Sequence, residues 1–194
     1  MKLIKFIKEH KFFFSFIINL LFIFYTYIVG FIYNDIWCTS LFYYYILLII
    51  VKFILIKNTS LSKTKLLLIN LILFLINLIM IYPVIIMIKL NRNVSYTLIP
   101  AIGIATYTFY NLAISITTFI KNYKKSNIVS KHIIVISLLQ TIMSILTLQN
   151  TLIMVNTHEY NKGLYILTII SSSAGVLFCF YLVLVNYLKC IKEY

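Results

Sequence analysis

The chain is poor in residues that cover a water-facing surface and in residues that interrupt regular structure. Only 11 % of its 194 residues are charged, against about 25 % in a typical soluble domain. Glycine occurs four times and proline twice, so few positions favour a turn. The hydrophobic fraction is 62 %, more than the remaining polar residues can shield from water. These shortages exclude an ordinary soluble domain and predict long apolar elements that face lipid.

Carboxylates are also scarce, and this scarcity limits the chemistry that the chain can support. The four acidic residues all lie outside the middle of the apolar runs: Glu9, Asp35, Glu159 and Glu193. Metal-dependent enzymes and proton-coupled transporters need clustered carboxylates or histidines at their sites. The three cysteines have no metal-ligand spacing. We therefore expect no cofactor, no metal site and no catalytic residues.

Six apolar runs are each long enough to cross a bilayer, which takes about 20 helical residues. They do not alternate in polarity, as the strands of a membrane barrel would. A helix is also the form that satisfies every backbone group inside lipid. The sequence therefore predicts an all-α polytopic bundle, a single transmembrane domain over residues 1–194, with three antiparallel hairpins. The predicted spans are 12–33, 36–56, 66–88, 97–120, 133–155 and 164–188.

The basic residues favour one side of the predicted membrane. Of the 17 Lys and Arg residues, all but Lys89, Arg92 and Lys162 fall at the termini and at alternate connections or, as Lys52 does, in a span close to one of them. Loops rich in Lys and Arg stay in the cytoplasm. The pattern predicts a cell-membrane protein with both termini cytoplasmic. The net charge of +13 does not indicate nucleic-acid binding, because the lysines lie between apolar runs rather than along one polar face.

Uncharged polar residues inside the predicted spans form the main candidate site. Asn70 and Asn77 lie seven residues apart in the third span, Asn111 lies in the fourth, and Gln140 and Ser144 lie in the fifth. Polar side chains in lipid need partners, so these residues are expected to face the interior. They either hold the bundle together by interhelical hydrogen bonds or line a pocket for a solute.

Three further features carry weaker alternatives. Lys52 is the one charge well inside a span, and it either snorkels to the interface or binds an anionic lipid or solute. Pro83, in the third span, lies towards the outer side and could help to shape a vestibule there. Asp35, His158 and Glu159 lie in predicted outer turns, where they either meet as a site or simply face water.

Three segments carry a resemblance to known proteins: SLFYYYILLIIVKFIL (40–55), YTFYNLAISITTFIKNYKKSN (107–127) and ISLLQTIMSILTLQNTLI (136–153). They resemble an uncharacterised family of six-helix membrane proteins from low-G+C Gram-positive bacteria. That resemblance implies a fold and a bacterial source but no activity. The chain is more loosely similar to the substrate-binding subunits of energy-coupling-factor transporters, which also have six helices and few charges.

Three functions remain open at this point. The first is a small-solute binding or transport component with a polar pocket. The second is a non-catalytic accessory or assembly subunit, whose small residues at 171–175 pack on partner helices and whose partners are other membrane subunits or a cytoplasmic ATPase. The third, an enzyme with its site at the outer face, is least favoured. The bilayer is an expected partner in all three cases, and the ligand is unknown.

Overall fold

The computed structural model describes residues 11–58, 62–90, 97–122, 128–156 and 162–192, and these residues form seven α-helices. Helical hydrogen bonding is the expected result of apolar runs with so little glycine and proline. The helices are α1 (Lys11–Ile32), α2 (Ile36–Lys57), α3 (Lys63–Leu78), α4 (Ile81–Leu90), α5 (Leu98–Asn122), α6 (Ile128–Asn156) and α7 (Lys162–Lys192).

The helices provide six segments that are long and apolar enough to cross a membrane, with α3 and α4 together forming the third. No strand occurs among the described residues. The predicted all-α bundle of six spans is therefore confirmed. The largest difference in bounds is in the fifth span, which begins at Ile128 rather than at the predicted residue 133. This difference brings His132 into the helix.

The turn between α1 and α2 is as tight as the sequence predicted. Asn34 adopts a positive φ of 50°, a conformation that asparagine tolerates better than most residues. Asp35 then caps α2, because its carboxylate accepts the backbone N–H groups of Trp37 and Cys38. The helices touch at Gly30, where an added Cβ would lie 2.9 Å from the backbone nitrogen of Thr39. The hairpin therefore depends on a glycine at this position.

The third span is broken, whereas the sequence predicted one continuous helix. α3 ends at Leu78 and α4 begins at Ile81. Pro83 lies in the first turn of α4, where its missing N–H is tolerated but leaves the carbonyl of Ile79 without its usual helical partner. Met80 instead bonds back to the carbonyl of Asn77 in a tighter turn. The proline thus accounts for the break.

The spans form two rows of three, one from each half of the chain. α2 packs between α1 and the α3–α4 pair, and α6 packs between α5 and α7. Across the rows α2 faces α6 and α3 faces α7. α1 faces α5, since the rings of Phe22 and Tyr107 stack with centroids 3.4 Å apart. α6 is the most buried span. The centre of the bundle is therefore the contact of α2 with α6.

Three hydrogen bonds from α2 to α6 hold this central contact together along its length. The indole of Trp37 donates to Thr147 at 3.0 Å near one end. The hydroxyl of Tyr45 donates to the carbonyl of Gln140 at 3.0 Å in the middle. Near the other end, the ammonium of Lys52 donates to the hydroxyl of Ser137, also at 3.0 Å. Apolar contact alone would allow these two helices to slide along each other, so the polar bonds fix their register.

Candidate functional site

All five residues of the predicted polar pocket are buried, as expected, but they lie in different parts of the bundle. Asn111 is on α5, and Gln140 and Ser144 are on the α6 face that packs between α2 and α5. Asn70 and Asn77 are on α3, in the part of the bundle formed by α2, α6 and α7. The structure therefore divides the predicted pocket into two polar regions.

The first region lies between α1, α2, α5 and α6. Lys52 reaches it from α2 and contacts Ser137, one turn before Gln140 on α6. Ser115 of α5 donates to the carbonyl of the same Ser137 at 3.2 Å, and Asn111 lies one turn before Ser115. Residues three or four apart share a helix face. Lys52, Asn111 and Gln140 are therefore on faces that meet around Ser137, and we call them the donor cluster.

Two amide groups of the donor cluster have no hydrogen-bond partner. Both Nδ2 of Asn111 and Nε2 of Gln140 are fully buried and unpaired. A buried donor without a partner costs about 1–3 kcal/mol, so such groups are rare in native proteins. Tyr107 donates to Asn19 at 2.7 Å and Tyr45 donates to the main chain of Gln140, but each hydroxyl oxygen can still accept, and that of Tyr107 interacts with the side chain of Asn111. The cluster thus holds two buried amide donors without a well-formed hydrogen bond.

A small cavity of about 20 Å³ adjoins Lys52 and is also lined by Ser15 and Asn19 of α1. A cavity needs roughly 10–15 Å³ to admit a water molecule. The space therefore suits one water or a monatomic ion, not an organic solute. In this conformation the region is closed to anything larger.

The second region contains a hydrogen-bonded set that links α3, α6 and α7, and we call Asn70, His132 and Asn186 the paired cluster. The amide of Asn70 donates to the carbonyl of Leu66 at 3.1 Å and to Nε2 of His132 at 2.9 Å. Its oxygen accepts the amide of Asn186 at 2.8 Å. Nδ1 of His132 lies 2.9 Å from the carbonyl of Ile128, which can only accept. His132 is thus the neutral Nδ1–H tautomer.

The remaining pocket candidates make structural contacts. Asn77 accepts the hydroxyl of Tyr44 at 3.1 Å and supports the end of α3 just before the break. The carbonyl of Ser144 accepts the hydroxyl of Thr108 at 3.0 Å, which joins α5 to α6. Neither side chain joins the donor cluster or the paired cluster. The interhelical bonding predicted for the polar stripes accounts for Asn77, whereas the side chain of Ser144 donates to the carbonyl of Thr141 in its own helix.

Of the predicted outer-face site only Asp35 lies among the described residues, because His158 and Glu159 lie outside them. Asp35 is 4 % exposed and caps α2 with both carboxylate oxygens. It also lines an open crevice of about 580 Å³, together with Asn34 and Tyr82. No group of three potential metal ligands occurs in the described part of the chain. A structural role as a helix cap accounts for Asp35.

The small residues near Ser171 pack inside the bundle. Ser172 accepts the amide of Asn150 at 3.1 Å. Gly175 packs against Leu146 so closely that a Cβ would overlap its methyl groups. Both contacts join α7 to α6, so these small residues permit packing between two helices of the same chain.

Sequence reasoning missed His132, Asn186 and Asn19. His132 was assigned to a loop because the fifth span was predicted to begin one residue after it. Asn186 and Asn19 lie within predicted spans, but asparagine is so common in this chain that single occurrences carried little weight. A search for every polar residue inside or next to a span would have found all three.

Neither a known protein family, nor a curated protein, nor a solved structure matches this chain. The fold itself defines the class, because six apolar helices with buried, mutually bonded polar groups satisfy the requirements of a lipid environment. The chain is a polytopic α-helical integral membrane protein. The two family resemblances seen in the sequence stay predictions.

Proposed function

We propose that the protein is a small-solute binding or transport component of the membrane, and that its ligand carries hydrogen-bond acceptors. One observation supports the proposal: Asn111 and Gln140 hold unpaired amide donors, and each lies one helical turn from the contact of Ser115 with Ser137 that the ammonium of Lys52 also joins. Asp35 is the one acidic side chain among the residues that the structure describes, and it lies at the opposite end of α2. A set of donors with no carboxylate beside it favours an anion.

The size of the cavity narrows the class of ligand. About 20 Å³ beside Lys52, bounded by α1 and α2 and not by Asn111 or Gln140, admits a monatomic anion without rearrangement. A halide is therefore a suitable first probe. Anything larger requires α1 to move away from α2, as in the opening step of an alternating-access cycle.

The proposal is tested by anion-dependent thermal unfolding of the purified protein. In sodium gluconate as the reference salt, addition of chloride or bromide is expected to raise Tm in a saturable way. A ligand at about 100 times its Kd adds about 2.7 kcal/mol to the free energy of unfolding. The response should be lost in Gln140→Leu and in Lys52→Met, since each removes a donor from the cluster.

Matched variants keep this test specific. Gln149→Leu makes the same substitution on the same helix outside the donor cluster, and Lys57→Met does so at the exposed end of α2. Both should keep the anion response. A wild-type Tm that is the same in every salt, or a response that survives in Gln140→Leu, would count against the proposal.

The alternative is a non-catalytic accessory or assembly subunit. It predicted an exposed stripe of small residues for partner helices, but Ser172 and Gly175 face α6 of the same chain. It therefore has less support than solute binding. Native mass spectrometry of protein purified gently from its host separates the two functions. A stoichiometric membrane subunit or ATPase would favour assembly, and a small bound molecule would favour solute binding.

We also propose that the end of the bundle that carries most of the lysines, together with both termini of the chain, lies in the cytoplasm. The native cysteines are poor probes of this orientation, because Cys38, Cys179 and Cys190 are all buried. In a cysteine-free background, Lys57→Cys and Lys89→Cys place exposed thiols at opposite ends of the bundle. A membrane-impermeant maleimide should label only Lys89→Cys in intact cells and both variants after permeabilisation. The reverse labelling pattern would invert the proposed topology.

A further inference from the structure

The two edges of the bundle are closed in different ways. At one edge α3 and α7 pack directly against each other. At the other edge, among the described helices, α1 packs closely only against α2, and α5 packs closely only against α6. The contacts between α1 and α5 are therefore made mainly by side chains. A groove of about 490 Å³ runs along this seam and is lined by Phe22 and Tyr107, among others.

Two hydrogen bonds tie α1 to α5 near the turn that leads into α2. The hydroxyls of Tyr33 and Thr97 lie 2.7 Å apart, and the hydroxyl of Tyr25 donates to the carbonyl of Pro100 at 3.1 Å. The close contact with α2 at Gly30 lies in the same part of α1. This end of α1 is therefore held from two sides, by α2 and by α5.

The other half of α1 runs towards the lysine-rich end of the bundle, which is the end where α2 stops. Two tyrosines of α5 hold it there. The ring of Tyr107 stacks on Phe22, and its hydroxyl donates to Asn19 at 2.7 Å. One turn closer to the lysine-rich end, Tyr110 interacts with the side chain of Ser15. Single stacks and hydrogen bonds of this kind are weak enough to break and re-form.

The donor cluster lies behind this half of α1. The cavity beside Lys52 is lined by Ser15 and Asn19 from α1 and by Ile49 from α2. The two helices that touch near their shared turn thus enclose a space farther along. Asn111 lies one turn beyond the stacked tyrosine of α5, again towards the lysine-rich end. The first half of α1 therefore separates the cavity and its lysine from the surroundings of the bundle.

We propose that residues 15–22 of α1 form a flap over this cavity, which pivots at the turn into α2 and is latched by Tyr107. Opening breaks the contacts of Tyr107 and Tyr110 with α1 but keeps the two bonds at the other end of the helix. It admits water to Lys52 from the lysine-rich end. The effect of a ligand on the flap rests on the proposed function, because an anion in the cavity contacts α1 and α2 together and so favours the closed state.

The test measures how fast a water-soluble reagent reaches the cavity. In a cysteine-free background, Ile49→Cys places a thiol on the cavity wall, and an anionic methanethiosulfonate labels it only while the flap is open. In gluconate, Tyr107→Phe should raise the labelling rate about threefold, the effect of one interhelical bond of average strength. Phe22→Leu should raise it roughly twofold to tenfold, since it removes an aromatic stack. With the latch intact, chloride should slow labelling in a saturable way.

Each latch variant has a matched control at another contact. Tyr44→Phe removes an interhelical hydrogen bond from α2 to Asn77. Phe74→Leu removes the ring contact with Phe180 at the packed edge of α3 and α7. Neither change touches α1, so both controls should label at the same rate as the protein with all three rings intact.

The outcomes separate the flap from the anion site. Labelling that rises equally in Tyr107→Phe and Tyr44→Phe, or in neither, would overturn the flap even if chloride raises Tm. Faster labelling in the two latch variants alone would support it. If chloride then changes neither the labelling rate nor Tm, the flap stands and the proposed function fails.

Discussion

The two polar clusters of the bundle use similar side chains and differ in whether their hydrogen bonds are complete. In the paired cluster, both N–H groups and the oxygen of the Asn70 amide have partners on α3, α6 or α7. In the donor cluster, the amide nitrogens of Asn111 and Gln140 have none. A completed network holds helices together, whereas an incomplete one costs stability. The contrast indicates that the first cluster supports the fold, and it motivates the proposal that the second binds an anion.

The difference arises from the supply of acceptors. His132 contributes an acceptor because the carbonyl of Ile128 fixes its proton on the other nitrogen. In the donor cluster the side-chain amides carry an oxygen as well as a nitrogen, but their nitrogens reach no acceptor, and Ser115 pairs with Thr141 and the carbonyl of Ser137. Proteins commonly give up stability at functional sites. An external acceptor would complete the donor cluster.

Removing Asn70 should produce the largest loss of stability. Asn70→Leu deletes two interhelical bonds and leaves His132 and Asn186 buried without this partner, which should lower the free energy of unfolding by about 2–3 kcal/mol. Unfolding in mixed detergent micelles can be followed by the fluorescence of Trp37, the sole tryptophan. Asn77→Leu is the matched control, because it breaks one interhelical bond instead of two. A loss no larger than that of Asn77→Leu would show that the paired cluster is not the stronger link.

In the donor cluster, a substitution is expected to raise stability rather than lower it. Gln140→Leu removes an unpaired donor and keeps a similar volume, so it should raise the free energy of unfolding by about 1 kcal/mol in the absence of ligand. The same fluorescence measurement in gluconate reports the change. Gln149→Leu lies outside the cluster and should be close to neutral. Destabilisation by Gln140→Leu would mean that its amide is satisfied and that the two clusters are alike.

The smallest effect is expected at the contact of α6 with α7 around Asn150, away from both clusters. Ser172→Ala removes the bond from Asn150 but no large side chain, and single bonds of this kind contribute about 0.6 kcal/mol in membrane proteins. Ser173 bonds only to a carbonyl of its own helix and is half-buried, so Ser173→Ala is the control. A loss above about 2 kcal/mol from Ser172→Ala would place a third essential link at this contact.

Much of the architecture could be predicted because it follows from local composition. The turn at Asn34 and Asp35 and the inward position of Gln140 each depend on a few adjacent residues or on helical periodicity. The break after Leu78 was missed, because a proline near a span end predicts either a kink or a new helix start. The start of the fifth span was also missed. A hydropathy scale treats His132 as a residue that avoids lipid, but its hydrogen bonds to Asn70 and to the carbonyl of Ile128 allow it to be buried within the helix.

The sequence by itself determined that the chain is an α-helical membrane protein with six spans, because the length and polarity of each run decide whether it enters lipid. It also determined that the polar stripes face inward, since lipid offers them no hydrogen bonds. Only the tertiary structure decided which polar residues meet. Asn70 finds His132 and Asn186, from 62 and 116 residues away, and Gln140 finds no partner for its amide. Pairing depends on which helices are neighbours, and apolar helices in lipid carry little local information about their neighbours.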